Sequence, residues 1–188
     1  ETLRIHKYNL SGTGGSNLIN NILGVNGGSF PNIKLLDIRF NQINGVFDCS
    51  NLSTSLETLY LDGNNLTDIQ NLTTHATNLT QLRALPNPIT SLDVSNLTAL
   101  EYLGAWAKPS VYSYGSPYPY LTTLTFGSNN ALEEININEQ EALPSLDLSS
   151  LSSLKILRAE NYGNSITGGA TQPVWSSALQ QIYMTNVQ

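Results

Sequence analysis

Charge is scarce in this 188-residue chain: 12% of its residues are Asp, Glu, Lys or Arg, and 8 basic residues face 14 acidic ones. The resulting net charge of −6 excludes a broadly basic surface of the kind that holds nucleic acid or anionic membranes, so electrostatic recognition has to be local. Cysteine is nearly absent. With Cys49 alone, neither an intramolecular disulfide nor a zinc site of paired thiols can form; Cys49 itself reads as a small, buried apolar side chain. No apolar run approaches the roughly 20 residues that cross a bilayer, so no membrane insertion is expected. Catalytic motifs are missing as well. His6 and His75 lie 69 positions apart, and there is no GxSxG, HExxH or Walker-type loop. The glycines at 12–15 and 26–28 lack the Lys and Ser/Thr of a phosphate loop. The expectation is a protein that is not an enzyme and uses no cofactor.

What the chain has in quantity is leucine and asparagine at fixed intervals. The pattern LxxLxLxxNxL is filled by Ile33, Leu36, Ile38, Asn41 and Ile43, and again by Leu56, Leu59, Leu61, Asn64 and Leu66. Leu79, Leu82, Ala84, Asn87 and Ile89 fill it a third time, the second leucine stepping by 23 residues from 36 to 59 to 82. Leu103 and Leu124 continue at steps of 21, and Leu3, Leu157 and Ile182 mark further strands. Seven or eight units would thus occupy residues 1–188 as a single domain. Two stretches break the spacing. Residues 11–32 exceed a normal spacer, and Leu18, Ile19, Ile22 and Leu23 there have the pattern of a short amphipathic helix. From Leu124 to Leu157 the step is 33, with Ile135 and Leu146 at intervals of 11, which fits either one long repeat or a normal one plus a half.

Alternation along each LxL segment sends its aliphatic residues inward and the residues beside them outward. Asparagine carries both a donor and an acceptor, which suits it to satisfying backbone groups where the chain leaves a strand, so Asn41, Asn64, Asn87 and Asn129 read as structural. On the segments IKLLDIRFNQI, LETLYLDGNNL and LTQLRALPNPI and the twin spacers SLDVSNLTALEYL and SLDLSSLSSLKIL, the chain resembles the bacterial leucine-rich-repeat family, of the surface-protein kind that includes internalin-like and BspA-like proteins. Lys108 and Tyr162 depart from the pattern where it calls for Asn. The resemblance implies an α/β leucine-rich-repeat solenoid: a right-handed superhelix, or horseshoe, with a parallel β-sheet on its concave face and short 3-10, irregular or helical spacers on its convex face. It also implies a non-catalytic scaffold for protein–protein interaction, secreted or on a bacterial cell surface. Because Glu1 falls inside what reads as a repeat strand, the chain is expected to be part of a longer protein.

Read in register, the outward positions form two columns. One holds Arg4, Asp37, Tyr60, Arg83, Gly104, Thr125, Arg158 and Tyr183; the other holds His6, Arg39, Asp62, Leu85, Trp106, Gly127, Glu160 and Thr185. All four arginines of the chain fall in them. Arginine forks and aromatic rings give much contact area and directed hydrogen bonding per ordered residue. With Tyr102 one position away, the candidate binding residues are therefore Arg39, Tyr60, Arg83, Tyr102, Trp106, Arg158 and Tyr183, although exposed strand positions favour aromatics in any case. Replacing Arg83 and Trp106 together with Ala is expected to spare stability and weaken binding. A second candidate is the segment KPSVYSYGSPYPY at 108–120, where Tyr112, Tyr114, Tyr118 and Tyr120 among Pro, Ser and Gly form either an adaptable recognition loop or a rigid bulge packed on its neighbours. A protein ligand is the leading expectation. The alternatives are glycan binding or adhesion through that loop, and a spacer or targeting role in a larger enzyme. Glu133, Glu134, Glu139 and Glu141 do not have EF-hand spacing and read as a solvated acidic edge.

Overall fold

Three-residue strands with an aliphatic residue at the centre are the unit from which the chain is built. The computed structural model describes residues 1–5, 11–12, 32–107, 121–140, 142–143, 146–160, 166–167 and 181–183. Its strands, numbered along the chain, go alternately to two places. The odd-numbered strands are β1 (Thr2–Arg4), β3 (Leu35–Asp37), β5 (Thr58–Tyr60), β7 (Gln81–Arg83), β9 (Tyr102–Gly104), β11 (Glu134–Asn136), β13 (Ile156–Arg158) and β15 (Gln181–Tyr183). They form one eight-stranded sheet in chain order, every neighbour parallel. The even-numbered strands are β2 (Ser11–Gly12), β4 (Gln42–Asp48), β6 (Asn65–Gln70), β8 (Ser91–Asp93), β10 (Thr123–Thr125), β12 (Leu146–Asp147) and β14 (Ile166–Thr167). These pair only among themselves, also in parallel, as β2-β4-β6, β8-β10 and β12-β14. Parallel neighbours cannot be joined by a tight hairpin, and each even-numbered strand lies in the crossover that returns the chain to the start of the next odd-numbered one. Two single-turn helices, a 3-10 turn at Cys49–Asn51 and α1 at Leu72–His75, are the helical content among the described residues. The fold is thus mostly parallel β-sheet with few helices.

Register in the main sheet places Leu3, Leu36, Leu59, Leu82, Leu103, Ile135, Leu157 and Ile182 in one row. From Leu36 to Leu157 every member of the row is fully buried. A single apolar cluster joins this row to the aliphatic residues of the even-numbered strands, among them Ile43, Phe47, Leu66, Leu92, Leu124 and Leu146. Cys49 is buried in the same cluster, and burial pushes its thiol pKa up, as suits an inert core residue.

One placement differs from the spacing. Leu124 continues the leucine interval, yet β10 pairs with β8, Leu124 opposite Leu92, outside the main sheet. The strand that follows β9 in the main sheet is β11, with Ile135 opposite Leu103, so the step there is 32 residues and the next, to Leu157, is 22. The long unit is the one that carries the 108–120 segment. Residues 13–31, where the pattern predicts a short helix, lie outside the described residues.

Asparagine side chains link each unit to the one before it. Asn41 Nδ2 donates to the carbonyls of Ile5 and Ile38, Asn64 Nδ2 to those of Ile38 and Leu61, and Asn87 Nδ2 to those of Leu61 and Ala84. Their Oδ1 atoms accept backbone N–H groups of the preceding unit, Ile43 to Asn64 and Leu66 to Asn87. After β11 this position is held by the buried Gln140, whose Nε2 donates to Ala105 O at 2.7 Å while its Oε1 accepts from Leu121 N at 3.0 Å. Asn129 is structural too, but it serves the other side, donating to the carbonyls of Val94 and Leu97. On that side Asp48, Asp93 and Asp147 each accept the N–H of the serine two residues on, which turns the chain where β4, β8 and β12 end. The Asn71 amide first and the Ser50 N–H second hold the Asp48 carboxyl below its ordinary range, and the Ser149 N–H does so for Asp147.

Candidate functional site

Pairing register fixes what stands beside what on the open face of the main sheet. The row after the buried leucines reads Arg4, Asp37, Tyr60, Arg83, Gly104, Asn136, Arg158 and Tyr183. Asn136 takes the place that spacing gave to Thr125, and Asn138 the place it gave to Gly127. Both expectations failed because β10 belongs to the other sheet, where Gly127 packs so tightly on Ser95 that a Cβ would lie 2.3 Å from the serine carbonyl. Arg39, Tyr60, Arg83, Tyr102, Trp106 and Arg158 are all half-buried on the face. Tyr183 is next to Arg158 in register, its side chain outside the described residues. Tyr112, Tyr114, Tyr118 and Tyr120 also lie outside them.

Three of the four arginines, Arg39, Arg83 and Arg158, are held by carboxylates of the chain. Arg39 grips Asp37 with both prongs of its fork, Nε to Oδ1 and Nη2 to Oδ2, each at 2.8 Å. This bond, made with the charged form, raises the Arg39 pKa. Arg83 reaches across one strand so that Nη2 donates to Asp62 Oδ2 at 3.0 Å. Both acids are buried although they occupy positions read as outward, because the long arginine side chains lie over the short acidic ones; Leu85, also read as outward, is buried in the apolar core. Arg158 Nε donates to Glu134 Oε1 at 2.9 Å, and Lys34 and Lys155 pair with Glu57 and Glu133. Glu133 and Glu134 therefore stand at the sheet and share its ion pairs, Glu133 exposed to solvent as expected and Glu134 half-buried.

Rings fill the gaps between the guanidinium groups. Arg39 lies 4.9 Å from the Tyr60 ring centre, Arg83 lies 5.3 Å from the same ring, and Arg83 again lies 4.7 Å from that of Trp106. The Tyr60 hydroxyl donates to Gln81 Oε1, which fixes the ring. Trp106 lies down over Gly104, where a Cβ would come within 2.4 Å of its ring, so this glycine makes room for the indole. Arg39, Tyr60, Arg83 and Trp106 thereby form a continuous ladder roughly 15 Å long, at about 4.8 Å per strand. Each cation–ring contact at such exposure is worth about 0.5–1 kcal/mol.

No family model matches the chain, and no curated protein matches it. What the face can do is therefore argued from its own geometry.

Asp62 is the least comfortable group in the ladder. Its side chain has no exposure, Oδ1 has no hydrogen-bond partner, and Nε of Arg83 is likewise buried and unpartnered. Burial raises the Asp62 pKa to about 6, outweighing the opposing pull of Arg83 and Arg39. Replacing Arg83 with Ala would leave this carboxylate unpaired, so an Arg83→Ala, Trp106→Ala double variant is now predicted to lose stability as well as binding. Because Asp62 can take up a proton instead of staying charged, the added cost at pH 7 is limited to about 1 kcal/mol.

Two hollows open on either side of Arg83 and Tyr102. One, of about 410 Å³, is lined by Tyr60, Gln81, Arg83, Glu101, Tyr102, Glu133 and Glu134. The other, of about 350 Å³, is lined by Arg83, Tyr102, Trp106, Ala107, Asn136, Asn138 and Glu139. Tyr102 forms a wall common to both, and burial raises its hydroxyl pKa. Sequence reasoning missed Gln81, Glu134, Asn136 and Asn138 as members of the face. Ile135, which stands at a normal repeat distance before Leu157, was the signal that would have found the last three.

Proposed function

We propose that this chain is a leucine-rich-repeat solenoid, of the secreted or cell-surface kind found in bacteria, whose main sheet forms a concave face that binds a protein partner without chemical change. Parallel strands in chain order, an alternate strand in every crossover and buried asparagines bridging successive units support the repeat reading. The observation that carries the binding reading is the ladder of Arg39, Tyr60, Arg83 and Trp106: four large side chains side by side, half-exposed, each already held by a neighbour. Ordering such side chains on association would cost roughly 0.5–1.5 kcal/mol apiece, and a face that orders them beforehand avoids much of that cost.

The test uses Trp106→Ala, which removes the ring above Gly104 and leaves the Arg83–Asp62 pair in place. Peptides or displayed protein fragments selected on the wild-type chain should bind this variant roughly 10-fold or more weakly, the loss typical of an aromatic anchor. Ligands that bind both proteins equally would reject the ladder as the binding site.

A further inference from the structure

The ion pairs on the sheet face decide which charge a partner has to bring. Five basic side chains of the face, Lys34, Arg39, Arg83, Lys155 and Arg158, each hold a carboxylate of the chain itself, while Arg4, exposed on β1 at the end of the sheet and away from the hollows, holds none among the described residues. Two of those carboxylates, Asp37 and Asp62, are buried beneath their arginines. At these five cations an acidic group from outside would have to compete with partners that are already in place, and at Arg39 and Arg83 with partners shielded from water. Glu101 is different. It is exposed, lines the 410 Å³ hollow, and makes no ion pair or side-chain hydrogen bond among the described residues.

The same hollow holds Glu133 and Glu134, whose charges are matched by Lys155 and Arg158, and Arg83, whose charge is matched by Asp62. The balance is one uncompensated negative charge. Tyr60, whose ring already carries Arg39 and Arg83, and Tyr102 stand at the walls and supply apolar ring surface, and Gln81 is present among the lining residues with its carbonyl oxygen already used by Tyr60. No group of three side chains suited to a metal ion occurs among the described residues. The chemistry favoured is therefore that of an organic cation with an apolar stem.

We infer that the hollow between Tyr60 and Tyr102 receives a lysine or arginine side chain of the partner, so that the face recognises a basic protein segment. This rests on the binding reading of the ladder and adds the partner's chemistry to it. The alkyl stem lies against the tyrosines and the charged end meets Glu101, with Glu133 and Glu134 lining the same hollow.

The experiment titrates the intact chain, followed by NMR, with acetyl-Gly-Gly-Arg-Gly-Gly-amide. The comparison peptides carry citrulline, which keeps the shape and loses the charge, or aspartate at the central position. The arginine peptide should shift the amides around Tyr102 and Gln81, and bind tighter than the citrulline peptide. Glu101→Gln and Glu133→Gln, both at exposed positions, should each weaken it roughly two- to five-fold without changing the thermal midpoint. No shift up to about 10 mM peptide, equal binding of arginine and citrulline, a preference for aspartate, or indifference to both variants overturns the inference. So does a glycan ligand that occupies the hollow and depends on Glu101. Selected ligands that need Trp106 but show no basic residue would overturn this inference alone, whereas ligands indifferent to Trp106 would overturn the binding reading beneath it.

Discussion

Asparagine in place of Asp62 keeps the shape of the side chain and removes its charge, which isolates what burying that charge costs. Burial raises the Asp62 pKa from 3.8 to about 6 in the fold. Each pKa unit corresponds to about 1.36 kcal/mol, so the ionised form is disfavoured in the folded chain by about 3 kcal/mol. The sign follows from where the proton sits. Between pH 3.8 and about 6 the folded chain keeps a proton that the unfolded chain has released, so stability falls as pH rises through that window and the deficit is complete above it. Asp48 and Asp147, held below the ordinary range, act in the opposite direction at lower pH, and their contributions are common to both proteins. Urea unfolding at pH 4, 5, 6 and 7 of the wild type and Asp62→Asn should therefore give nearly equal stabilities at the acid end. The variant should then gain steadily to about 3 kcal/mol at pH 7. Parallel pH profiles, or a variant less stable at pH 7 than at pH 4 by as much as the wild type, would show that the Arg83 pair compensates the burial and that the reasoning is wrong.

Two further substitutions test the backbone of the same units. Gly63 sits at φ 73° with the Phe40 ring where a Cβ would be, 2.4 Å away, whereas Gly45 sits at φ 84° with open space around it. Thermal unfolding should show Gly63→Ala losing about 1–3 kcal/mol and Gly45→Ala about 1 kcal/mol, and equal losses would remove the Phe40 contact from the account. In the asparagine chain, Ile38 O is shared by Asn41 and Asn64, and Leu61 O by Asn64 and Asn87. Asn64→Ala thus leaves both carbonyls with one side-chain donor each, while Asn64→Ala with Asn87→Ala strips Leu61 O of both. Denaturant unfolding should find the double variant more destabilised than the sum of the singles by roughly 1–3 kcal/mol, and strict additivity would speak against the shared carbonyl.

Leucine spacing located β3, β5, β7, β9 and β13 because each buried row demands an aliphatic residue at a fixed offset from the turn, and a 21- to 23-residue step leaves room for little else. It misplaced one unit. LTTLTF around Leu124 has the same aliphatic alternation as a main-sheet strand, and periodicity reports which side chains point inward, not which of two sheets a strand joins. The face was legible as a list of residues and illegible as an arrangement. Asp37 ends β3 and Arg39 follows two positions on in the same alternation, hence on the same face, and the two could have been read as a pair from sequence alone. The Arg83–Asp62 and Arg158–Glu134 pairs cross between strands, and the second depends on the register that the 108–120 segment had hidden. Burial of Asp62 follows from which way an arginine folds, which no spacing contains.

That burial also bears on why the ladder exists. Cation–ring contacts of about 0.5–1 kcal/mol each are of the same size as the deficit at Asp62 only when all three are counted together, so the arrangement gains little or nothing over a row of neutral residues. A fold shaped by stability alone would do better with an uncharged side chain at position 62. The deficit lies under Arg83, which lines both hollows of the face, and what it achieves there is geometric: a guanidinium held from below is fixed between the rings of Tyr60 and Trp106. Stability given up at a surface that it orders is what a recognition site requires. If Asp62→Asn proves more stable at pH 7 and also binds selected ligands as tightly as the wild type, that link between the buried carboxylate and recognition fails.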